Sequence, residues 1–404
     1  MLYQNLALIA AFACIYSLLA GVMSRSWFNG AVVFTLFGVA MGPVGLNWLQ
    51  LSLNADGLRL IAELTLAMVL FADAAKADLT VLKRSVQIPE RLLVLSLPLT
   101  IALGFGAAWL LFDDLTLLEM AILATMLAPT DAALGKAVVS DQSVPAPIRE
   151  GLNFESGLND GICVPILFVL LALAEGQSGD RGVSMLAMHY VASEIGLGVL
   201  TAIVLAVPGA WLLKRSSDNN WIEESWLQVP VVALAISCFA VAQTIGGSGF
   251  IAAFVGGILF GWQTANHSLK HDLLERAEGA GDSLSLVTWV AFGAVVLSKS
   301  LAAFDWTILV YALLSLTVIR MLPVFLVLTG LKLGGGEKLF IGWFGPRGLA
   351  SIVFAVVVYN SSLDGVHTLA MTVVCTIVLS VLFHGVSANP LVSWLAKRAS
   401  NNAE

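Results

Sequence analysis

Apolar runs separated by glycine, proline and clusters of charge divide the sequence into thirteen blocks, at approximately 4–23, 28–46, 58–76, 92–112, 117–139, 153–174, 185–213, 226–244, 248–263, 284–301, 306–331, 338–360 and 366–388. About 20 apolar residues carry one helix across a bilayer. Apolar residues make up 58% of the 404 and charged ones 12%, against ~25% in an ordinary soluble domain. The blocks predict an all-α polytopic membrane protein, one unit over residues 1–404 with about 13 spans and no soluble regulatory domain.

The lipid bilayer is thus the first expected partner, and nucleic acid is excluded. The net charge is −7, and the 20 Lys and Arg are scattered between apolar blocks rather than gathered as a phosphate-binding patch. Cys14, Cys163, Cys238 and Cys375 fall in apolar stretches without CxxC spacing and read as packing residues. The block from Gln4 to Met23 lacks a basic region ahead of it, and Arg25 follows it, so it reads as a retained helix rather than a secretory signal.

Charge orients the blocks. With the N-terminus outside, 15 of the 20 cations fall on inward connections: Arg25, Lys76, Lys83, Arg84, Arg91, Lys136, Arg149, Lys214, Arg215, Lys270, Arg276, Lys332, Lys338, Lys397 and Arg398. Only Arg59, Arg181 and Lys299 fall outside, the asymmetry of the positive-inside rule. A wrong span count would scramble that pattern. The expected topology in a cell's inner or plasma membrane is N-terminus outside and C-terminus cytoplasmic.

Thirteen factors as six, one and six, which inverts the second set of six against the first. The fifth and twelfth blocks then correspond, and each carries a mid-span proline beside a polar group: Ala128-Pro129-Thr130-Asp131 and Gly345-Pro346-Arg347-Gly348. Two interrupted, crossing helices in matching positions of inverted repeats point to a transporter's binding site; two ordinary proline kinks are the plainer alternative.

Five ionisable residues lie near mid-span: Asp131, Glu155, Asp160, Arg320 and Arg347. At ~3 kcal/mol each they sum to roughly 15 kcal/mol if unpaired. Three acids against two bases leave one surplus carboxylate, as a cation site requires. On the sixth block Ser156 and Asp160 share one face at i, i+4, and Glu155 and Asn159 share the next. The first face offers hard oxygen ligands, suited to an alkali cation or a proton and not to a thiophilic metal. The second offers an acid for an arginine and an amide to tie down an interrupted helix. Gly157 and Gly161 would let another backbone approach. Pro129 would free backbone carbonyls around residues 126–130 as further ligands, and Arg347 would offset the negative ends of interrupted helix dipoles.

Ala-Pro-Thr-Asp-Ala at 128–132, Glu-Ser-Gly-Leu-Asn-Asp-Gly at 155–161, Arg320 and Gly-Pro-Arg-Gly at 345–348 together resemble the monovalent cation/proton antiporters of the NhaP and animal sodium/proton-exchanger type, across nearly the whole chain. The resemblance implies that Asp160 alternates between cation and proton, that Asp131, Ser156 and the Thr130 backbone complete a shell for Na+ or another alkali cation, and that Asn159 stabilises the crossed helices. It implies a buried Glu155–Arg320 ion pair, electroneutral exchange from Asn159 ahead of the key Asp, and a homodimer. A core bundle (about 92–174 and 306–388) would move against a dimerisation scaffold (about 4–76 and 185–301). Many relatives carry a long cytoplasmic tail; this chain stops about 16 residues after its last block, so regulation through such a tail is not expected. No cofactor is expected beyond the transported ions.

One carboxylate couples two ions if it holds either but not both and only the occupied site crosses. Pairing Arg320 with Glu155 would leave Asp160 free for that task. Asp73, at the inner end of the third block, is a possible accessory that attracts cations or supports a water. Glu63, Glu119 and Glu194 read as structural acids. His267 and His271 share a charged cytosolic loop with Lys270, Asp272, Glu275, Arg276 and Glu278; His189, His367 and His384 are isolated and take no role. Gly246–Gly249 reads as a tight external turn and Gly334–Gly336 as an internal loop. Trp27, Trp48, Trp109, Trp221, Trp226, Trp306 and Trp394 mark span ends.

A cation channel would want a ring of carboxylates, which the sequence lacks. An intramembrane hydrolase would need a base facing Ser156, and no histidine is placed for it. The protein is therefore not expected to be an enzyme. A K+/H+ antiporter of the same architecture remains the nearest rival to Na+/H+ exchange, with an uncoupled channel behind it.

Overall fold

The computed structural model describes residues 2–23, 30–51, 55–77, 86–131, 134, 136–139, 141–176, 192–265, 267, 270–297 and 305–401. Arg25, Lys83, Arg84, Arg181, Lys299, His189 and Trp27 of the sequence reading lie outside them.

The helices follow the thirteen blocks. They are α1 (Leu2–Met23), α2 (Gly30–Met41), α3 (Ala55–Lys76), α4 (Gln87–Leu111), α5a (Leu117–Met126) with α5b (Lys136–Val139), and α6 (Ala146–Ala174). Then come α7 (Ala192–Asp218), α8 (Val229–Thr244), α9 (Gly249–Gln263), α10 (Lys270–Ala291), α11 (Trp306–Val327, bent at Thr317), α12a (Gly335–Trp343) with α12b (Leu349–Tyr359), and α13 (Val366–Asn401). Seven of the described helices are long and apolar enough to cross a membrane by themselves, and five shorter apolar ones accompany them.

Three boundaries move outward because apolar side chains continue to find partners. Helix α10 starts at Lys270 instead of 284: the segment read as a charged loop is helical, since Leu273, Leu274 and Ala277 form a buried stripe on otherwise charged turns. Lys76 at the end of α3 pairs with Glu278 there. Helix α13 runs past 388 because Val392 and Leu395 pack in a cluster with Ile88, Leu328, Phe340 and Ile341. Ile148 and Leu152 in the same cluster extend α6 back to Ala146.

The expected internal loop at Gly334–Gly336 is the start of α12a, where Glu337 turns back to accept the Gly334 N–H at 2.6 Å. A tight turn joins α8 and α9, with Gly246 at φ +80°, which a side chain would disfavour. Ser248 caps α9 through the Ile251 N–H.

Helix α3 is sandwiched by α9, α10 and α12b, and α7 and α8 pack outside α9. On the other side α4 lies against α5a and α11, while α6 reaches both groups. Gly157 and Gly161 of α6 do not admit a neighbouring backbone; they receive the side chains of Phe254 and Ile251 from α9. Trp48, Trp109, Trp221, Trp226, Trp306 and Trp394 are exposed, as an interfacial belt requires.

Candidate cation site

The two interrupted helices meet at their breaks and complete each other. Helix α5a starts with a capping box, Thr116 and Glu119, and ends at Met126 ahead of Pro129. Helix α12a ends at Trp343 ahead of Pro346. Between the breaks, the Asp131 N–H donates to Pro346 O at 2.8 Å and the Leu349 N–H donates to Asp131 Oδ2 at 2.7 Å. The Ser351 hydroxyl donates to Met126 O at 3.0 Å. Asp131 therefore sits at the positive end of α12b, where a carboxylate is favoured, and Ser351 satisfies a carbonyl that α5a leaves open. Gly348 makes the approach possible, because a Cβ there would fall on Asp131 Oδ2.

Helix α6 lies across this crossing and ties to Thr130 twice. The Ser156 hydroxyl donates to Thr130 O at 2.6 Å, and Asn159 Nδ2 donates to Thr130 Oγ1 at 2.8 Å. Thr130, Asp131, Ser156, Asn159 and Asp160 are all buried. A void of about 10 Å³, roughly one water in size, lies among Thr130, Asp131, Ser156, Leu152, Phe344 and Pro346.

Asp160 differs from its neighbours. It is 1% exposed, and neither carboxylate oxygen has a hydrogen-bond partner. It lies within electrostatic reach of Asp131. A buried carboxylate without a donor is costly in its charged form, and a proton or a bound cation relieves that cost. The Asn159 Oδ1 is likewise without a partner.

The arginines are engaged elsewhere. Arg320 grips Glu155 with both terminal nitrogens, Nη1 to Oε1 at 2.5 Å and Nη2 to Oε2 at 2.7 Å, and both residues are 1% exposed. Arg347 is fully buried, and its Nη1 donates to Gly345 O at 2.7 Å, a carbonyl in the α12 break. The sequence thus names side chains that the fold collects in one place: Asp131, Thr130, Ser156, Asn159 and Asp160 at the crossing, with Glu155, Arg320 and Arg347 around it.

Asp73 stands apart. It lines a separate cavity of about 860 Å³ with Asp141, Glu278 and Asp282, and its backbone carbonyl accepts from Asn153 Nδ2 at 3.4 Å. Glu63 pairs with Arg59 at 2.7 Å. Glu119 is buried, accepting from the Thr116 and Gly365 N–H groups.

The sequence reading missed Ser351, Ser380 and His384. The Arg347 N–H donates to Ser380 Oγ at 2.7 Å, and His384 Nε2 lies 2.8 Å from Trp343 O. Serine four residues before histidine on one helical face was the available signal, and it gains meaning only when that face is seen against the α12 break.

The model of the family described as "Sodium/hydrogen exchanger, transmembrane" matches residues 8–394. A K(+)/H(+) antiporter NhaP2 of Shewanella sp. (strain ANA-3) is 23% identical over 380 residues, covering 94% of this chain and 64% of its own length. A Na(+)/H(+) antiporter of Saccharomyces cerevisiae is 26% identical over 385 residues, covering 89% of this chain and 38% of its own. The chain thus spans less than two thirds of the length of these relatives. The solved structure of the sodium proton antiporter MjNhaP1 from Methanocaldococcus jannaschii at pH 8 superposes with a TM-score of 0.73 at 21% identity, covering 98% of this chain and 99% of that one. The fold is therefore that of a known antiporter structure, and the chain belongs to the transmembrane sodium/hydrogen exchanger family.

Proposed function

We propose that the protein is a secondary active antiporter that exchanges a monovalent cation for a proton by alternating access. The observation that carries this reading is Asp160, a buried carboxylate with both oxygens unpartnered, one helical turn from Ser156 and within electrostatic reach of Asp131. Asp131, Ser156 Oγ and Thr130 O supply the remaining protein ligands for a bare alkali cation, and Asn159 holds Thr130 in place. A proton and a cation compete for Asp160. An empty, charged Asp160 cannot cross the apolar interior, so only loaded states move, and that restriction couples the two fluxes.

The exchange is electroneutral on this reading. Glu155 neutralises Arg320, and Asp160 is the one carboxylate at the crossing without a donor. The relatives' names divide between K+ and Na+; Na+ is the first assignment, with Li+ or K+ as the second reading. In the expected orientation, N-terminus outside and C-terminus in the cytoplasm, the 860 Å³ cavity lies at the inner ends of α1, α3 and α13. Asp73, Asp141 and Asp282 then give incoming cations a favourable field, Glu278 being paired with Lys76. Helices α4–α6 and α11–α13 form the moving core, and α1–α3 and α7–α10 the scaffold through which two copies pair.

The test is proton movement in proteoliposomes under an imposed pH gradient, with sodium, lithium or potassium added in turn and the membrane potential clamped and then released. Cation-triggered proton movement indifferent to the clamp supports the reading and ranks the ions. Cation flux without proton movement overturns it.

A further inference from the structure

A helix continuous through residues 343–347 would pair the Trp343 carbonyl with the Arg347 N–H, the i to i+4 bond of an α-helix. The chain instead turns at Phe344, whose φ of −79° and ψ of 61° are those of an inverse γ-turn. The Gly345 N–H closes that turn on Trp343 O at 2.8 Å. The groups of the forgone helical bond are both met from α13. The Arg347 N–H donates to Ser380 Oγ at 2.7 Å, and His384 Nε2 stands 2.8 Å from Trp343 O, on its second lone pair. Ser380 and His384 are four residues apart, one turn on the same face. One helix face thus stands in for the bond that α12 gives up.

The same face grips Trp343 by its ring. The indole Nε1–H donates to Ser387 Oγ at 2.8 Å, and the ring lies against His384 with centroids 5.1 Å apart. Trp343 is held at backbone and side chain from one direction, while Arg347 is held at its N–H by Ser380 and through Nη1 on Gly345 O.

The hydrogen-bond network assigns the imidazole proton. His384 Nδ1 lies 2.9 Å from Ser380 O and 3.2 Å from Ser380 Oγ. A ring without a proton on Nε2 would aim a lone pair at the Trp343 carbonyl. A neutral ring protonated on Nε2 accepts the Ser380 hydroxyl at Nδ1; a charged ring donates from Nδ1 to Ser380 O. In both, Nε2–H donates to Trp343 O, so this contact survives a change of charge.

We propose that His384, acting with Ser380, is a positioning residue that holds α12 open at its break and thereby fixes the start of α12b, whose Leu349 N–H holds Asp131. Five residues separate Trp343 from Leu349, and those two α13 side chains take hold at both ends of the first four-residue stretch, Trp343 O and the Arg347 N–H. The effect on transport rests on the exchange reading above; the effect on the break does not. An isosteric apolar ring at 384 removes the donor and frees Trp343 O to seek the Arg347 N–H. A glutamine keeps an N–H donor and an acceptor within reach of the same groups.

The experiment compares the full chain with H384F, H384Q, S380A and the S380A/H384F double variant. Amide hydrogen exchange over residues 344–349 in lipid nanodiscs reads the break, and cation-driven proton movement in proteoliposomes reads its consequence. H384F and S380A are expected to exchange these amides at least tenfold faster and to raise the cation concentration for half-maximal rate about fivefold or more. H384Q should return both to within about twofold of wild type, which a merely space-filling histidine would not produce. The double variant should show less than the product of the two single effects. Wild-type protection and cation dependence in H384F, or a folded H384Q that fails to recover either, overturns the proposal. If H384F does not fold, S380A against H384Q decides it by the same measurements. A wild-type chain that moves no protons when cations are added defeats the exchange reading, and the amide measurement still tests the clamp.

Discussion

Asp131 holds the first turn of the helix opposite its own: its Oδ2 accepts the Leu349 N–H at 2.7 Å, while its own N–H donates to Pro346 O at 2.8 Å. One residue thereby serves the broken backbones of both α5 and α12. Asp131→Asn keeps the shape and removes the charge that favours a helix N-terminus, at about 1–2 kcal/mol. The expected outcome is a lower Tm with a weaker dependence of Tm on added cation, measured by thermal unfolding across a sodium series.

Gly348→Ala tests the same contact sterically. The added methyl would overlap Asp131 Oδ2, and because that neighbour is itself held by Leu349, it cannot swing aside without losing the cap. Cation-driven proton movement is expected to fall at least tenfold. An alanine variant with wild-type rate and thermal stability would show that the two breaks need not lie this close.

Asp160→Asn replaces the unpartnered carboxylate with a neutral side chain of the same shape. Coupled exchange should vanish, with a loss of 100-fold or more, while the purified protein keeps its Tm. Persistent coupled exchange would move the carrier role to another residue.

Glu155→Gln should act on folding first. It leaves the Arg320 guanidinium charged and dry, at about 3–5 kcal/mol, whereas removing both charges in a Glu155→Leu, Arg320→Met double variant should recover much of that loss. Yield of monodisperse protein and Tm are the measurements. A well-folded, fully active single variant would count against the pair's structural role.

Glu119→Gln weakens a different joint. The carboxylate accepts the Gly365 N–H at 2.6 Å at the start of α13 and the Thr116 N–H at 2.8 Å at the start of α5a. Losing half of that acceptor capacity should cost about 1–2 kcal/mol and lower Tm, with the apparent cation affinity unchanged within about twofold.

Much of this arrangement was legible in the sequence because membrane solvation makes its signals coarse. An ionisable side chain in hydrocarbon demands a reason, so Glu155, Asp160, Arg320 and Arg347 announced themselves, and Pro129 and Pro346 marked the breaks. What escaped was carried by neutral groups. Ser351, Ser380 and His384 cost little by themselves in a helix and are conspicuous only against the backbone groups they satisfy. The start of α10 escaped for the opposite reason: its first turns are charged, and their helical order comes from Leu273, Leu274 and Ala277 meeting the rest of the bundle. The backbone approach expected at Gly157 and Gly161 does not occur, because the space above them suits a ring or a branched chain as well as a backbone.

The void beside Asp131 and Ser156 measures about 10 Å³, against 860 Å³ for the acidic cavity. On the proposed exchange reading, the larger space would receive a cation with its water, and the smaller has room for one bare ion or a single water. An ion passing between them would shed its hydration shell, and the energy of that stripping rises steeply from potassium to sodium to lithium. Choice among cations on such a route would be made at the step of dehydration, by how closely the proposed donors Asp160, Asp131, Ser156 and Thr130 reproduce the oxygen shell left behind.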